Sequence, residues 1–229
     1  MAEQYLMAID AGTGSVRAVI FSLNGEQTGC VQREWEQDPR YPGSMDFDWV
    51  HNWDLARECV QGVLKETDID PAQIAAVSTT CMREGIVLYD KDGNEIWACA
   101  NVDARSDDEV GRLIRMYPGL EEEIYQKSGQ TYALGALPRL LWVKDKMPEV
   151  YEKTAEIGMF NDWLIRKLTG VEAIEPSNGS TTGIFDLQSR KWDPSIAEKC
   201  GLRGDIFPPV AEPGTIIAKV SAKGAADTG

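Results

Sequence analysis

Residues 4–22 read QYLMAID, AGTGS, VRAVIFS, and this stretch decides the fold. QYLMAID is an apolar run of strand length that ends on a carboxylate, Asp10. VRAVIFS alternates with a period of two and predicts a second strand. Between them, Gly12 and Gly14 let the backbone come close to an anion, while Thr13 and Ser15 add hydroxyls beside the backbone amides. Asp10 can hold Mg²⁺ or its water shell near a bound phosphate, and Arg17 can add positive charge. The loop is not GxxxxGK[ST], and no helix follows it, so it is a hairpin tip rather than a P-loop. A plain hairpin turn is the simpler alternative. Asn24-Gly25 then signals a tight turn, and residues 27–36 return as a third strand. The chain thus opens as an antiparallel meander.

Downstream, residues 37–48 form a Pro/Gly-rich loop that ends at Asp48, a suitable cap for a helix over 49–67. Trp49, Trp53, Ala56, Val60 and Val63 recur at helical spacing along it. IAAVSTTC (74–81) reads as a central strand, and GIVLYD-KDGN-EIWACA (85–100) as a second hairpin. From Ser106 to Lys153 the pattern is helical. EIGMFNDWLIRKLTG (156–170) predicts a short strand, then a helix capped at Asn161 or Asp162 and closed by Gly170. Residues 171–187 read as a small-residue loop and a strand, and 189–210 as a short helix between loops. The tail KVSAKGAADTG (219–229) is small, polar and weakly periodic, with no closing element, as expected for a piece of a longer protein. The sum is a single domain with a mixed α/β sheet flanked by helices.

Charge and composition remove several function classes. Twenty-three basic residues against 37 acidic ones give a net charge of −14 over 229 residues, which disfavours nucleic acid and anionic membranes as partners. The N-terminus is acidic and enters a strand at once, unlike a signal peptide, and a cytoplasmic location is expected. Five scattered cysteines without a CxxC pattern read as reduced thiols. His51 is the sole histidine, which argues against a histidine-based triad or a multi-histidine zinc site.

Three further segments carry chemistry. Cys81-Met82-Arg83-Glu84-Gly85 follows a strand, and an Arg beside a carboxylate suits a polyol: Arg83 donates to hydroxyls and Glu84 accepts from them. A solvated ion pair in a turn is the alternative. Asp103 and Arg105 close the segment Trp97–Arg105, where Asp103 reads equally well as a helix cap. The fourth segment is EPSNGSTTG (175–183), followed by IFDL.

DAGTGSVRAVIF resembles the phosphate loop of the actin/hexokinase/Hsp70 ATPases, and of the FGGY carbohydrate kinases in particular. The other three segments are similar to that family's motifs, in the same order. The resemblance implies an actin-like, ribonuclease H-like domain over 1–229 that binds ATP and Mg²⁺. It implies substrate contacts at Met82, Arg83 and Glu84, with Asp103 and Arg105 bracing or lining a sugar pocket. Ser177 and Asn178 would underlie the cleft, as scaffolding more than as contacts. Among its branches, MREGIVLYD, IWACANVDAR, PRLLWV and PSNGSTTGIFDL look most similar to the kinases of autoinducer-2, a linear dihydroxypentanedione of quorum sensing. TYALGALP (131–138) lacks the segment with which glycerol kinases cover glycerol, although Tyr132 lies there. Xylulose-, gluconate- or glycerol-type kinases, and a non-catalytic actin-like nucleotide-binding module, are the alternatives.

The family's catalytic base sits in a Gly-Asp motif opening a second domain. The only Gly-Asp here, Gly204-Asp205, has the wrong neighbours. No catalytic base is therefore expected in this chain. Its partners would be a small sugar-like substrate and its own C-terminal kinase domain, and the chain alone is expected to be inactive.

Overall fold

The structure, a computed structural model, describes residues 3–229. Strand β1 (Tyr5–Ala11) pairs antiparallel with β2 (Ser15–Ser22), which pairs with β3 (Gln27–Glu34). Met7, Ile9 and Ala11 point inward, while Leu6 is 40% exposed, as expected for a sheet buried on one face. Helix α1 spans Trp49–Thr67, where the apolar spacing places it. Asp48 caps it, accepting from Val50 N (3.1 Å) and His51 N (3.0 Å). A 3₁₀ turn (Pro71–Gln73) leads into β4 (Ile74–Cys81), which runs parallel to β1. The first sheet is therefore ordered β3-β2-β1-β4.

Strand β4 differs from expectation. It lies at the sheet's edge, not its centre, and none of its residues is fully buried. Its composition explains the difference. Short Ala, Ser and Thr side chains read as buried, yet only β1 pairs with the strand among the described residues.

Strands β5 (Ile86–Tyr89) and β6 (Glu95–Cys99) form the second hairpin. Helices α2 (Asp107–Met116), α3 (Leu120–Ser128), α4 (Ala136–Lys146) and α5 (Pro148–Lys153) follow, then β7 (Glu156–Met159) and α6 (Phe160–Thr169). Strand β7 joins β5, giving a second, antiparallel sheet ordered β6-β5-β7. This sheet parts two cores. Val87 and Tyr89 face the first core, with Trp53, Phe160 and Trp163. Ile86 and Leu88 face the second, with Leu137, Leu140 and Ile157. Helices α1 and α6 meet through the Trp53 and Trp163 rings, 6.2 Å apart. Gly170 closes α6 in the left-handed region (φ 79°), as read from the sequence. Its cap differs: Asp162 reaches back from the first turn to accept from Met159 N at 2.9 Å.

Residues 176–180, expected in a loop, form a helical turn, α7 (Pro176–Ser180), because Glu175 accepts from the Ser177 and Asn178 amides. The hairpin β8 (Phe185–Asp186) and β9 (Lys191–Trp192) and helix α8 (Pro194–Lys199) follow.

The tail also departs from expectation. Ala222–Thr228 form α9, capped by Ser221, whose side chain accepts from Gly224 N. It packs on α1 and α6: Ser221 N donates to Leu168 O (2.9 Å) and Gln61 Nε2 to Asp227 O (2.9 Å). Low side-chain hydrophobicity hid this helix, because backbone groups dock it. A Cβ on Gly224 would collide with Leu168 O. Gly224→Ala should therefore undock α9 alone, raising amide exchange over 221–228 while β1–β3 stay protected. Unchanged exchange there would show that the helix does not sit on Leu168.

Candidate functional site

The carboxyl ends of parallel strands β1 and β4 lie side by side, with Ala11 opposite Cys81 in the register. Ligands of open α/β sheets collect at this end. Met82 N donates to Ala11 O at 2.7 Å, so the two loops that leave these strands are bonded at their roots.

The first loop is the Asp10–Ser15 tip. Gly12 N donates to Ser15 O (2.8 Å). Carbonyls on its outer side are taken: Trp35 N donates to Gly14 O (3.1 Å), and Trp35 Nε1 (3.2 Å) and Gln37 Nε2 (2.6 Å) donate to Thr13 O. The Thr13 and Gly14 N–H groups find no acceptor among the described residues. Space above Gly14 is open, with nothing within 4 Å of an added Cβ. The loop thus spends its acceptors on the protein and keeps donors free, the polarity that an anion needs. Asp10 and Arg17 are cross-strand partners and form an ion pair, with Arg17 Nε 2.8 Å from Asp10 Oδ2.

The second loop is the Cys81–Gly85 turn. Arg83 is exposed and Glu84 half-buried. Glu84 adopts φ 70°, a left-handed conformation unusual for a residue with a Cβ. Gly85 is required next to it, because a Cβ there would collide with the Phe160 ring. Met82 points away from the cleft and is buried in the first core.

Asp103 and Arg105 are placed inside the protein, not on its surface. The Asp103 side chain is 0% exposed and that of Arg105 1%. Asp103 Oδ2 accepts from Met45 N (2.6 Å) and Arg105 Nε (2.8 Å), and Arg105 also pairs with Asp46. The Arg105 guanidinium lies between the Trp97 and Trp142 rings, 5.1 and 4.9 Å from their centroids. Burial works against its charge, but the bonds to Asp103 and Asp46 outweigh burial and hold its pKa above the ordinary value. The pair braces the 37–48 loop. Asp103 is not the cap of α2, whose N-cap position is Ser106.

Ser177 is exposed, and its hydroxyl donates to Glu175 Oε1 (2.7 Å). Asn178 is buried beneath the β4 end, where it bonds Asn161 Oδ1 and Cys81 Sγ (3.4 Å). Burial pushes the Cys81 thiol up to about 12, so it stays protonated. Tyr132 is buried in the second core.

Three residues of this region were not read from the sequence as parts of the site, Asn161 being named only as a candidate helix cap. Asn101 Oδ1 accepts from Thr13 Oγ1 (3.2 Å) and so ties the third segment to the first loop. Asn161 anchors Asn178. Arg139, the one charge in the apolar stretch GALPRLLWV, is fully buried. A lone arginine amid core residues was a readable signal.

Residues 5–229 match the N-terminal domain of the FGGY family of carbohydrate kinases. The chain belongs to this family. It is 50% identical over 228 residues to autoinducer-2 kinase of Yersinia enterocolitica, a match that covers 98% of the chain and 43% of that protein. With autoinducer-2 kinase of Salmonella typhimurium it shares 50% over 224 residues, 96% of the chain and 42% of that protein. The chain thus spans less than half the length of these FGGY relatives. Gluconate kinase from Lactobacillus acidophilus superposes with a TM-score of 0.90 at 20% identity, over 99% of this chain and 46% of that one. Glycerol kinase of Plasmodium falciparum, solved with ADP, superposes at 0.87 and 20% identity, over 99% and 46%. These likenesses show the actin-like fold of the FGGY kinases. No helix among the described residues is long and apolar enough to cross a membrane.

Proposed function

We propose that this chain is the substrate- and phosphate-binding half of an ATP-dependent kinase that phosphorylates the linear dihydroxypentanedione autoinducer-2 at a primary hydroxyl. The carrying observation is the meeting of a donor-rich hairpin loop (Asp10–Ser15) with the Arg83-Glu84 turn at the ends of two paired strands. The choice of substrate is supported by 50% identity to autoinducer-2 kinases, against about 20% to the gluconate and glycerol kinases.

In this reading the free Thr13 and Gly14 amides and the Ser15 hydroxyl bind phosphate oxygens. Arg17, half exposed, swings from Asp10 to the same phosphates. Arg83 donates to substrate oxygens and Glu84 accepts from a substrate hydroxyl. The Asp103–Arg105 pair and Asn178 keep the loops in place from within. Asp10 is the residue that would hold Mg²⁺. A lone carboxylate fits an ion that keeps most of its ligands as water and phosphate oxygens, and no group of three metal-binding side chains occurs among the described residues. Mg²⁺ would supply neutralisation of phosphate charge.

In the transfer the substrate oxygen bonds to the γ-phosphorus, the bond to the ADP oxygen breaks, and the hydroxyl proton passes to a carboxylate. We place that carboxylate on a C-terminal domain outside these residues, in a cytoplasmic protein.

The test joins residues 1–229 to the C-terminal half of the Salmonella autoinducer-2 kinase. The isolated chain should turn over no substrate. The chimera should prefer the dihydroxypentanedione over xylulose, gluconate and glycerol by about 100-fold or more in kcat/KM. Comparable rates on any of the other three would refute the substrate choice. Arg83→Ala should raise the substrate KM by about tenfold or more, the loss of a charged hydrogen bond, and leave the ATP KM unchanged. An unaltered substrate KM would remove Arg83 from the pocket.

A further inference from the structure

Arg139 sits on α4 among Leu137, Leu140 and Leu141 and is 0% exposed. No carboxylate pairs with it among the described residues. Its guanidinium donates instead to three backbone carbonyls: Nη1 to Glu84 O, and Nη2 to Asn101 O (2.9 Å) and Asp103 O (2.7 Å). Its Nε has no partner among the described residues. A buried cation with only neutral acceptors is a costly way to fill a core position, and an apolar side chain would cost less. The arrangement gains geometry in exchange.

The geometry is specific. Glu84 is held at φ 70°, a left-handed conformation that a residue with a side chain keeps only under outside constraint. Arg139 grips the carbonyl of that same residue. Its other arm grips Asn101, whose side chain bonds Thr13 of the hairpin loop. A continuous path of bonds thus runs Glu84–Arg139–Asn101–Thr13, from the turn bearing Arg83 to the free-amide loop. Only a planar fork reaches acceptors on two separate segments; a lysine ammonium is a single point.

We infer that Arg139 is a positioning residue that fixes the Glu84 turn relative to the Thr13 loop, and so sets the approach of a substrate hydroxyl to a bound phosphate. This rests on the proposed kinase reading for its catalytic consequence, but not for its structural one.

Two arms separate the two. In the chain itself, Arg139→Lys should raise amide exchange at 83–86 and 101–105 by about tenfold or more, with β1–β3 still protected. In the chimera, the same variant should lower kcat by at least about tenfold while the ATP KM stays within about twofold, since misplacement costs rate more than binding. Asn101→Ala, which keeps the Arg139 bonds to backbone, should lower kcat too but leave exchange at 83–86 unchanged. Unchanged exchange in Arg139→Lys overturns the inference whatever the enzyme does. So does an ATP KM that rises in step with the fall in kcat, the mark of general loosening. A chimera inactive before any substitution would instead count against the kinase reading, and the exchange arm would still decide the role of Arg139.

Discussion

Asp10→Asn in the chimeric kinase should lower kcat by about 10³-fold, the scale of losing one preorganised electrostatic contact to a transferring group. The substitution keeps size and shape, so the asparagine side chain still fits the end of β1 opposite Arg17. The folded protein should scarcely notice it. The Asp10–Arg17 pair is open to water, with side chains 24% and 47% exposed, and such pairs contribute at most about 1 kcal/mol. The loop itself is held by Trp35, Gln37 and its own Gly12–Ser15 bond, none of which uses the carboxylate. A large loss of rate with little loss of stability is therefore the signature of a group that acts on ligand. Rate measurements over a Mg²⁺ titration, paired with urea unfolding of the same variant, read both quantities. A kcat within about tenfold of the parent would remove Asp10 from the role given to it. A large fall in stability would instead make the carboxylate part of the hairpin's architecture.

The hairpin loop was legible because local chemistry specifies it. A carboxylate at a strand end, two glycines, two hydroxyls and a second alternating strand leave few conformations to choose from, and the structure adds only where the acceptors go. Helix α1 was legible for the same reason, with Asp48 as cap and apolar residues on one stripe. What the sequence hid is non-local. The edge position of β4 depends on which strands pair with it, not on its residues. Asp103 and Arg105 were expected to brace or line a pocket, and their full burial was not legible, because Trp142, Met45 and Asp46 close over them from other segments, with Trp97 from their own. Arg139 was readable as a lone charge in an apolar stretch, but what it holds was not, because its partners are carbonyls and a carbonyl carries no sequence signal. Helix α9 was missed because a glycine against a carbonyl, not an apolar stripe, docks it. In each miss the deciding partner lies far away in sequence.

The buried acid Glu172 should make stability fall as pH rises. Gly158 on β7 admits it: a Cβ on that residue would collide with the Glu172 Oε1 atom. Its side chain is 3% exposed, Oε2 accepts from Arg166 Nη1 (3.1 Å), and Oε1 has no partner among the described residues. Burial raises its pKa to about 7, from 4.5 in the open chain, and Glu156 and Glu95 add to the rise, although Arg166 opposes it. Asp162 and Tyr89, buried beside it, are pushed up as well. The sign follows from proton counting. Between about pH 4.5 and 7 the folded state keeps the Glu172 proton while the unfolded chain has lost it. Unfolding then releases a proton, and stability falls as pH climbs through this window. A shift from 4.5 to about 7 corresponds to roughly 3 kcal/mol. Other carboxylates, such as Glu123 and Asp193, are held low by lysine partners and add stability in the opposite sense at lower pH. A difference measurement cancels them. Urea unfolding of the parent and of Glu172→Gln at pH 5 and pH 8 should show the variant gaining on the parent by about 3 kcal/mol between the two. Glutamine cannot lose a proton here, so a difference that stays flat with pH would mean that Glu172 titrates in the fold as it does in water.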